Sequence, residues 1–342
     1  MLLDNKTVLI AGGTGSLGKT LVRRIMTGKE GKPKKIIVFS RDEDKQHWMK
    51  LEWKNMKTAT DEVFYHNYEE VLDFRIGDVK DYESLSGVVK EAEIIIDAVA
   101  LKQVPVCEYF PMESIKTNVL GIQNMLRAVQ ENGKKVEVFL GISTDKACKP
   151  VNTYGMCKAI MERLVIEANL RCPTTRFICT RYGNVAASRG SVIPLFQEQI
   201  KNGGPVTITT KEMTRFLLTL DTAVNIVFDA LQYADAGETY IPNIPSANIV
   251  DLAEIMIGKR DINIEYLGIR PGEKVHEILL SEEELPRTNK KNGYYAILPI
   301  LPELCKEKIK RSALDKELSS ADYVMTKKEL EAFLKREGCL DF

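Results

Sequence analysis

From Thr7 to Gly18 the chain reads Thr-Val-Leu-Ile-Ala-Gly-Gly-Thr-Gly-Ser-Leu-Gly, an apolar run that stops at glycines spaced three apart. In that setting Gly12 permits a tight turn, Gly15 lets the backbone approach a pyrophosphate, and Gly18 lets the following helix lie close to the sheet. The helix N-terminus points its free N–H groups at whatever fills the turn, which favours an anion. Gly12, Thr14, Gly15, Ser16, Leu17 and Gly18 are therefore candidate ligands of a dinucleotide. A glycine-rich turn that binds nothing is the alternative reading.

The rest of the first half repeats the same unit. Short apolar runs at about 7–12, 35–40, 72–77, 93–99, 136–142 and 176–183 predict strands. Amphipathic stretches at about 16–28, 43–56, 81–90, 112–132 and 152–170 predict helices between them, the fourth carrying Ile115, Val119, Ile122, Leu126 and Val129 at helical spacing. Strands alternating with helices give an α/β chain with a doubly wound parallel sheet. Past about residue 185 the pattern breaks into short apolar segments and proline-bearing loops, ending in a charged helix near Thr326–Lys335. The expected organisation is a nucleotide-binding domain over 1–185, with some later segments returning to it, and a smaller substrate domain with a tail over 186–342. Residues 57–70 read as a surface insertion of no assigned function.

Composition narrows the partners. The 342 residues carry 48 Lys+Arg against 48 Asp+Glu, so no long-range field draws the chain to nucleic acid or a membrane surface. Seven cysteines without a C-x-x-C pair fit a reducing cytoplasm, and three scattered histidines offer no metal site. The apolar run at Val8–Ala11 is far shorter than the roughly 20 residues of a membrane span. The chain is expected to be cytoplasmic.

Strand ends carry the polar residues, where open α/β sheets bind ligands. The second strand ends in Ser40-Arg41, with Lys45 four residues on, and lacks the acid that holds the ribose 2′-hydroxyl of NAD. A hydroxyl and a guanidinium suit a 2′-phosphate, so NADP is favoured over NAD; a solvated helix start is the other reading of these charges. Asp78 and the Val79 amide stand where an adenine edge is read. The fifth strand delivers Ser143-Thr144-Asp145-Lys146, and Tyr154 and Lys158 share a helix face four residues apart. The Lys158 ammonium is expected to favour the Tyr154 phenolate, a general base for a hydroxyl proton beside a nicotinamide. Asp145-Lys146 adds an acid and an amine that suit an elimination, or else forms a plain ion pair.

In this order, the glycine series, the Ser-Thr strand end and Tyr-x-x-x-Lys resemble the extended short-chain dehydrogenase/reductases, with a Rossmann-type sheet. Closer still, Ala98–Pro105, Ile115–Asn118, Ser143–Ala147, Arg181–Val185, Ser188–Pro194, Met213–Phe216 and Ile269–Lys274 are similar to segments of the UDP-N-acetylglucosamine 4,6-dehydratases of flagellin glycosylation and capsule synthesis. The resemblance runs from about residue 3 to 285. It implies removal of water from UDP-GlcNAc, giving a 4-keto-6-deoxy sugar nucleotide with NADP kept bound and recycled. By motif, Thr144 orients the substrate hydroxyl, Tyr154 starts the oxidation at C4, and Lys158 holds the nicotinamide ribose. Lys146 takes the C5 proton and Asp145 protonates the leaving 6-hydroxyl. Ala98, Ala100, Lys102 and Asn118 are implied around the cofactor. For the substrate the implied residues are Lys102, Asn184, Ser188, Arg189, Val192, Pro194, Thr207, Thr209, Arg215, Arg270 and Glu273. A tyrosine at 154 goes with inversion at C5, and hexamers are common in the family.

The chain departs from the family pattern at Asp97, where a histidine is usual, and at Lys149, where asparagine is frequent. A UDP-hexose 4-epimerase or a C5-retaining dehydratase is the runner-up, and a non-catalytic NADP-binding interaction protein is the distant third.

Overall fold

The computed structural model describes residues 1–55, 68–186, 191–305 and 312–340. Its spine is six strands, β1 (Thr7–Ala11), β2 (Lys35–Ser40), β3 (Leu72–Ile76), β4 (Ile94–Asp97), β5 (Val138–Thr144) and β6 (Arg176–Tyr182). They lie in the order β3-β2-β1-β4-β5-β6, every neighbouring pair parallel. β1 and β5 are buried along their whole length, which is why they read as unbroken apolar runs. Alternate side chains serve opposite faces. Val8 and Ile10 pack with Leu21, Val22 and Ile25 of the helix Ser16–Met26 and with Val224 and Val227 of the helix Leu220–Tyr233. Leu9 and Ala11 pack on the other side with Leu85, Leu126, Met161 and Val165. The sheet order reverses between β1 and β4, and a crevice opens there at the carboxyl ends.

After β6 the chain leaves the sheet and returns. Thr239–Pro242 pairs parallel with β6, and Tyr294–Ile297 and Thr288–Lys291 extend the sheet antiparallel, making nine strands. The intervening segments build a smaller body over the crevice. Thr214–Leu218 pairs with Ser246–Asn248 and Asn184–Val185, and Val206–Ile208 pairs with Ile264–Tyr266. Ile193, Phe196, Leu252, Met256, Leu330 and Phe333 form an apolar cluster of their own there. The last helix, Lys327–Arg336, starts at a reciprocal cap between Thr326 and Glu329.

Two local expectations change. The helix expected over 112–132 is broken by a π-helical turn, Lys116–Leu120, between Pro111–Ile115 and Gly121–Asn132. Its buried side there is polar: Ser114 and Asn118 face inward while Leu120 is half exposed. The reason is a bonding network described below, which outweighs the apolar period. The fifth strand also runs on to Thr144, so Ser143 and Thr144 are held by the sheet itself. Of the stretch 57–70, residues 57–67 lie outside the described residues, and Tyr68–Val71 is a short helix leading into β3. Among the described residues no helix is long and apolar enough to cross a membrane, and no His, Cys, Asp and Glu group could hold a metal. All seven cysteines are free thiols.

Candidate active site

A cleft of about 950 Å³ runs from the glycine turn, across the ends of β4, β5 and β6, to the smaller body. At the turn, Gly12 has φ +76°, and a Cβ there would sit 2.8 Å from the Ala98 carbonyl oxygen. Only glycine keeps this cradle open. Gly15 caps the helix without a side-chain bond, so the first-turn N–H groups remain available to an anion. Thr14, Ser16, Leu17 and Gly18 line the same end of the cleft. These features fit a dinucleotide pyrophosphate.

At the far side of the turn, the Ser40 hydroxyl accepts from Gln46 Nε2 at 3.0 Å. The Arg41 guanidinium is exposed and 3.9 Å from Asp78, and Lys45 folds back onto Asp42. Both cations line the cleft, each with a carboxylate neighbour. Asp78 Oδ1 accepts from the Lys80 amide at 3.0 Å, and Val79 stands beside it in the wall.

The loop after β4 supplies Ala98, Ala100 and Lys102. Asn118 does not line the cleft. Its side chain accepts from the Leu101 amide at 2.8 Å, donates to the Leu101 carbonyl at 2.9 Å and donates to Ser114 at 3.1 Å. It therefore holds the loop that forms the wall, which is the work the π-helical turn makes possible. Polar spacing four apart, Ser114 to Asn118, was the available signal.

Tyr154 and Lys158 project into the cleft from the helix Thr153–Arg171. Asn152 caps this helix by accepting from the Gly155 amide at 2.7 Å. A Cβ on Gly155 would sit 2.1 Å from the Lys146 carbonyl oxygen, so glycine lets the helix start press against the Asp145–Ala147 turn. That contact sets Tyr154 beside Thr144 and Lys146. The expected lowering of the Tyr154 phenol by Lys158 does not occur. Burial pushes it up to about 12, opposed by the Lys146 charge and the Thr144 hydroxyl. Lys158 acts elsewhere: burial lowers its pKa while Asp97 opposes that fall. Asp97 in turn is pushed up to about 6 by burial, tempered by Lys158 and the Val99 amide. The carboxylate at the end of β4 thus helps keep Lys158 charged.

The densest chemistry surrounds Lys146. Its ammonium donates to Asp145 Oδ1 at 3.1 Å and pairs with Glu277 Oε1 at 3.1 Å. Asp145 and Glu277 are almost wholly buried, and Thr144 donates to Asp145 Oδ1 at 3.0 Å. Burial opposes the Lys146 charge, yet the two carboxylates hold its pKa above the ordinary lysine value. Burial raises the Asp145 carboxyl against the pull of Lys146, with Glu277 adding to the rise. Glu277 stays below the usual carboxylate range despite burial because Lys146, Arg215 and Lys274 surround it. Nothing near residue 145 in the chain announced Glu277; its one signal was a place just past Arg270–Lys274.

Arg215 lies in this network. Its guanidinium donates to the carbonyls of Thr214 at 2.7 Å, Val275 at 3.1 Å and Lys274 at 2.9 Å, with Nε 3.8 Å from Glu277. Asn184 Oδ1, Ser191 Oγ, Asp145 Oδ2 and Glu277 Oε2 are buried without a hydrogen-bond partner, and all four residues line the cleft. Buried polar atoms left open in this way mark where a ligand bonds. Ser191 also begins the helix Val192–Lys201 without a side-chain cap, and Val192 and Pro194 line the cleft there. Thr207 is held by Gln199, and Thr209 donates to Glu273 at 2.9 Å. Arg270 stands exposed on the rim. Asn152, which sequence reasoning missed, donates to the Gly272 carbonyl at 2.7 Å and so ties the Arg270–Glu273 loop to the Tyr154 helix. Ser188 and Arg189 lie outside the described residues.

The family model described as polysaccharide biosynthesis protein matches residues 8–299. A UDP-N-acetylglucosamine 4,6-dehydratase (inverting) of Campylobacter jejuni subsp. jejuni serotype O:2 is 41% identical over 301 residues, 87% of this chain and 84% of that protein. A UDP-glucose 4-epimerase of Rickettsia bellii is 42% identical over 303 residues, with the same coverage of 87% and 84%. The X-ray structure of Pen from Bacillus thuringiensis superposes with a TM-score of 0.87 at 32% identity, covering 99% of this chain and 100% of that one.

Proposed function

Because the chain belongs to the polysaccharide biosynthesis protein family, we propose that it is a nucleotide-sugar dehydratase that removes water from UDP-N-acetylglucosamine. The observation that carries this reading is the Asp145–Lys146 pair, 3.1 Å apart, buried beside Tyr154 and Thr144. Oxidation and re-reduction at C4, which is all an epimerase needs, has no use for a second acid and amine; an elimination does.

The reaction assigns one proton task to each residue. A nicotinamide dinucleotide held by the Gly12–Gly18 turn, with Ser40, Arg41 and Lys45 beside its adenosine end, would supply the hydride chemistry between C4 and C6. Thr144 positions the 4-hydroxyl and Tyr154 takes its proton, the phenolate being favoured by Lys146 and Thr144 against burial. Lys146 becomes a base by passing its extra proton to Asp145 Oδ1, an N–H bond breaking as an O–H bond forms at unchanged total charge. The amine then accepts the C5 proton, acidified by the C4 ketone. Asp145 gives its proton to the departing 6-hydroxyl, and water leaves. Lys158, kept charged by Asp97, holds the nicotinamide ribose.

The substrate lies along the smaller body, with its pyrophosphate at the uncapped helix start of Ser191 and its uridine near Thr207, Thr209 and Glu273. Lys102, Asn184, Val192, Pro194 and Arg270 line its path, Ser188 and Arg189 belong to the same segment, and Arg215 serves mainly through Glu277. NADP is favoured over NAD by Ser40, Arg41 and Lys45 at the end of β2. Inversion at C5 is the expected outcome, as the name of the Campylobacter relative states for that enzyme. A cytoplasmic setting is proposed from cysteine usage, seven cysteines without a C-x-x-C pair. Exposed Tyr109, Phe110, Met112, Leu120, Met156 and Ile160 on adjoining helices support self-association into a homo-oligomer, a hexamer on the family's pattern.

The test is incubation with UDP-GlcNAc in heavy water, followed by proton NMR. A C6 methyl group, deuterium at C5 and no accumulated reduced cofactor are expected, and the nucleotide released on denaturing the same preparation should carry the 2′-phosphate. The Rickettsia relative named as an epimerase favours the second reading: a C4 epimer with an intact C6 methylene would establish it and reject dehydration.

A further inference from the structure

Glu277 lies outside the Thr144–Lys146 strand end and the Tyr154 helix, yet its carboxylate is as close to the Lys146 ammonium as that of Asp145, 3.1 Å in each case. It reaches the site from the segment that follows the Arg270–Glu273 loop and precedes the short strand Ile278–Leu280. Its backbone is anchored, since its amide donates to Ser320 Oγ at 2.9 Å and its carbonyl accepts from the Ser320 amide at 2.8 Å. The side chain is almost wholly buried and lines the cleft. Arg215 Nε at 3.8 Å and Lys274 Nζ at 3.9 Å complete a ring of cations around it. A buried carboxylate placed this way stabilises positive charge at one atom, Lys146 Nζ, before the substrate arrives.

We propose that Glu277 is a positioning residue for proton abstraction, holding the Lys146 amine opposite Asp145 and stabilising the ammonium that forms as the C5 proton arrives. The inference rests on the dehydratase reading above. In the step concerned, the C5–H bond breaks and an N–H bond forms on Lys146. The electron pair left on C5 moves into conjugation with the C4 ketone, and the C6–O bond breaks with Asp145 supplying the proton that completes water. Positive charge appears on Lys146 and Asp145 regains its negative charge. Glu277 is fixed next to the first of these changes and does not exchange a proton itself, because Arg215 and Lys274 keep it anionic. Arg215 also donates to the carbonyls of Lys274 and Val275, which ties the Glu277 segment to the strand Thr214–Leu218.

The experiment compares wild type, Glu277→Gln and Glu277→Asp in the heavy-water assay, with calorimetric UDP binding as a check on the fold. Glu277→Gln should lower kcat for methyl formation and for deuterium entry at C5 by tenfold or more, with UDP affinity and KM little changed. Glu277→Asp should recover part of that loss, because it restores the charge. A structural role alone would not lower kcat while leaving KM and UDP affinity in place, nor be relieved by restoring the charge. Equal rates in Glu277→Gln and wild type, or a loss that appears only as weakened UDP binding in both variants, would overturn the proposal and leave the dehydratase reading standing. A wild-type protein that forms no methyl product would overturn both.

Discussion

Lys146→Ala protein retains nucleotide binding and loses dehydration by a factor of about 10²–10⁴, the range expected when a positioned general base is removed. The geometry makes this variant informative. Lys146 touches Asp145 and Glu277, and the described phosphate-side features, the turn at Gly12–Gly18 and the helix start at Ser191, lie on other elements. Removing the amine does not strand two naked charges. Burial already raises the Asp145 carboxyl, which becomes neutral without its ammonium partner, and Arg215 and Lys274 remain around Glu277. C5 deuterium exchange should vanish together with methyl formation. Reduction of bound cofactor by substrate should slow but not vanish, because oxidation at C4 uses Thr144, Tyr154 and Lys158 and loses only the Lys146 charge that favours the Tyr154 phenolate. Single-turnover absorbance at 340 nm and the NMR assay separate the two steps. Full turnover by the variant would place the base on another residue.

Arg181→Ala is expected to cost about 3–5 kcal/mol of folding stability, the usual consequence of stranding buried partners of an ion pair. Arg181 is almost wholly buried at the end of β6. It donates to Glu162 Oε1 at 2.9 Å and Oε2 at 2.6 Å, to both Glu284 oxygens at 2.8 Å, and to the Leu279 carbonyl at 3.0 Å. Ser143 donates to the same Glu162 at 2.5 Å. One guanidinium thus joins β5, β6, the Tyr154 helix and the Glu284 segment behind the catalytic strand end. Lysine cannot replace its two-sided fork. Against a typical total stability of about 5–15 kcal/mol, the loss is large. It should be read from urea unfolding at neutral pH. The sign of its pH dependence follows from Glu284, whose carboxyl Arg181 holds below its ordinary 4.5 against the effect of burial. That pairing stabilises the wild type above the unfolded carboxyl pKa and fades as pH falls through the folded one. The gap between wild type and variant should therefore narrow in acid. A variant with wild-type unfolding midpoint at neutral pH would show that the cluster adds nothing to stability.

How much was legible varies with the distance over which each interaction acts. The cradle at Gly12, the shared face of Tyr154 and Lys158, and the delivery of Thr144, Asp145 and Lys146 at a strand end are local consequences of turn geometry and helix spacing. The alternating strands and helices led to the doubly wound sheet for the same reason. The apolar period over 112–132 misled at its first turns, because Ser114 and Asn118 turn inward to hold the Leu101 loop, and no periodicity reports a bond to a distant backbone. The return of Thr239–Pro242 and Thr288–Ile297 to the large sheet was foreseen only in outline, since pairing partners depend on topology.

By itself the sequence determined the fold class, the glycine turn and the list of reactive groups, because these depend on residues within one turn, strand or helix face. The tertiary structure decided the protonation of those groups and their companions. Burial lifts the Tyr154 phenol where spacing alone predicts a fall, Asp97 supports Lys158, and Glu277 closes around Lys146 from a remote segment. Proton affinity in a buried site is set by every charge within a few ångströms and by the water excluded from it. Both are properties of packing, which brings together residues that the linear order keeps apart.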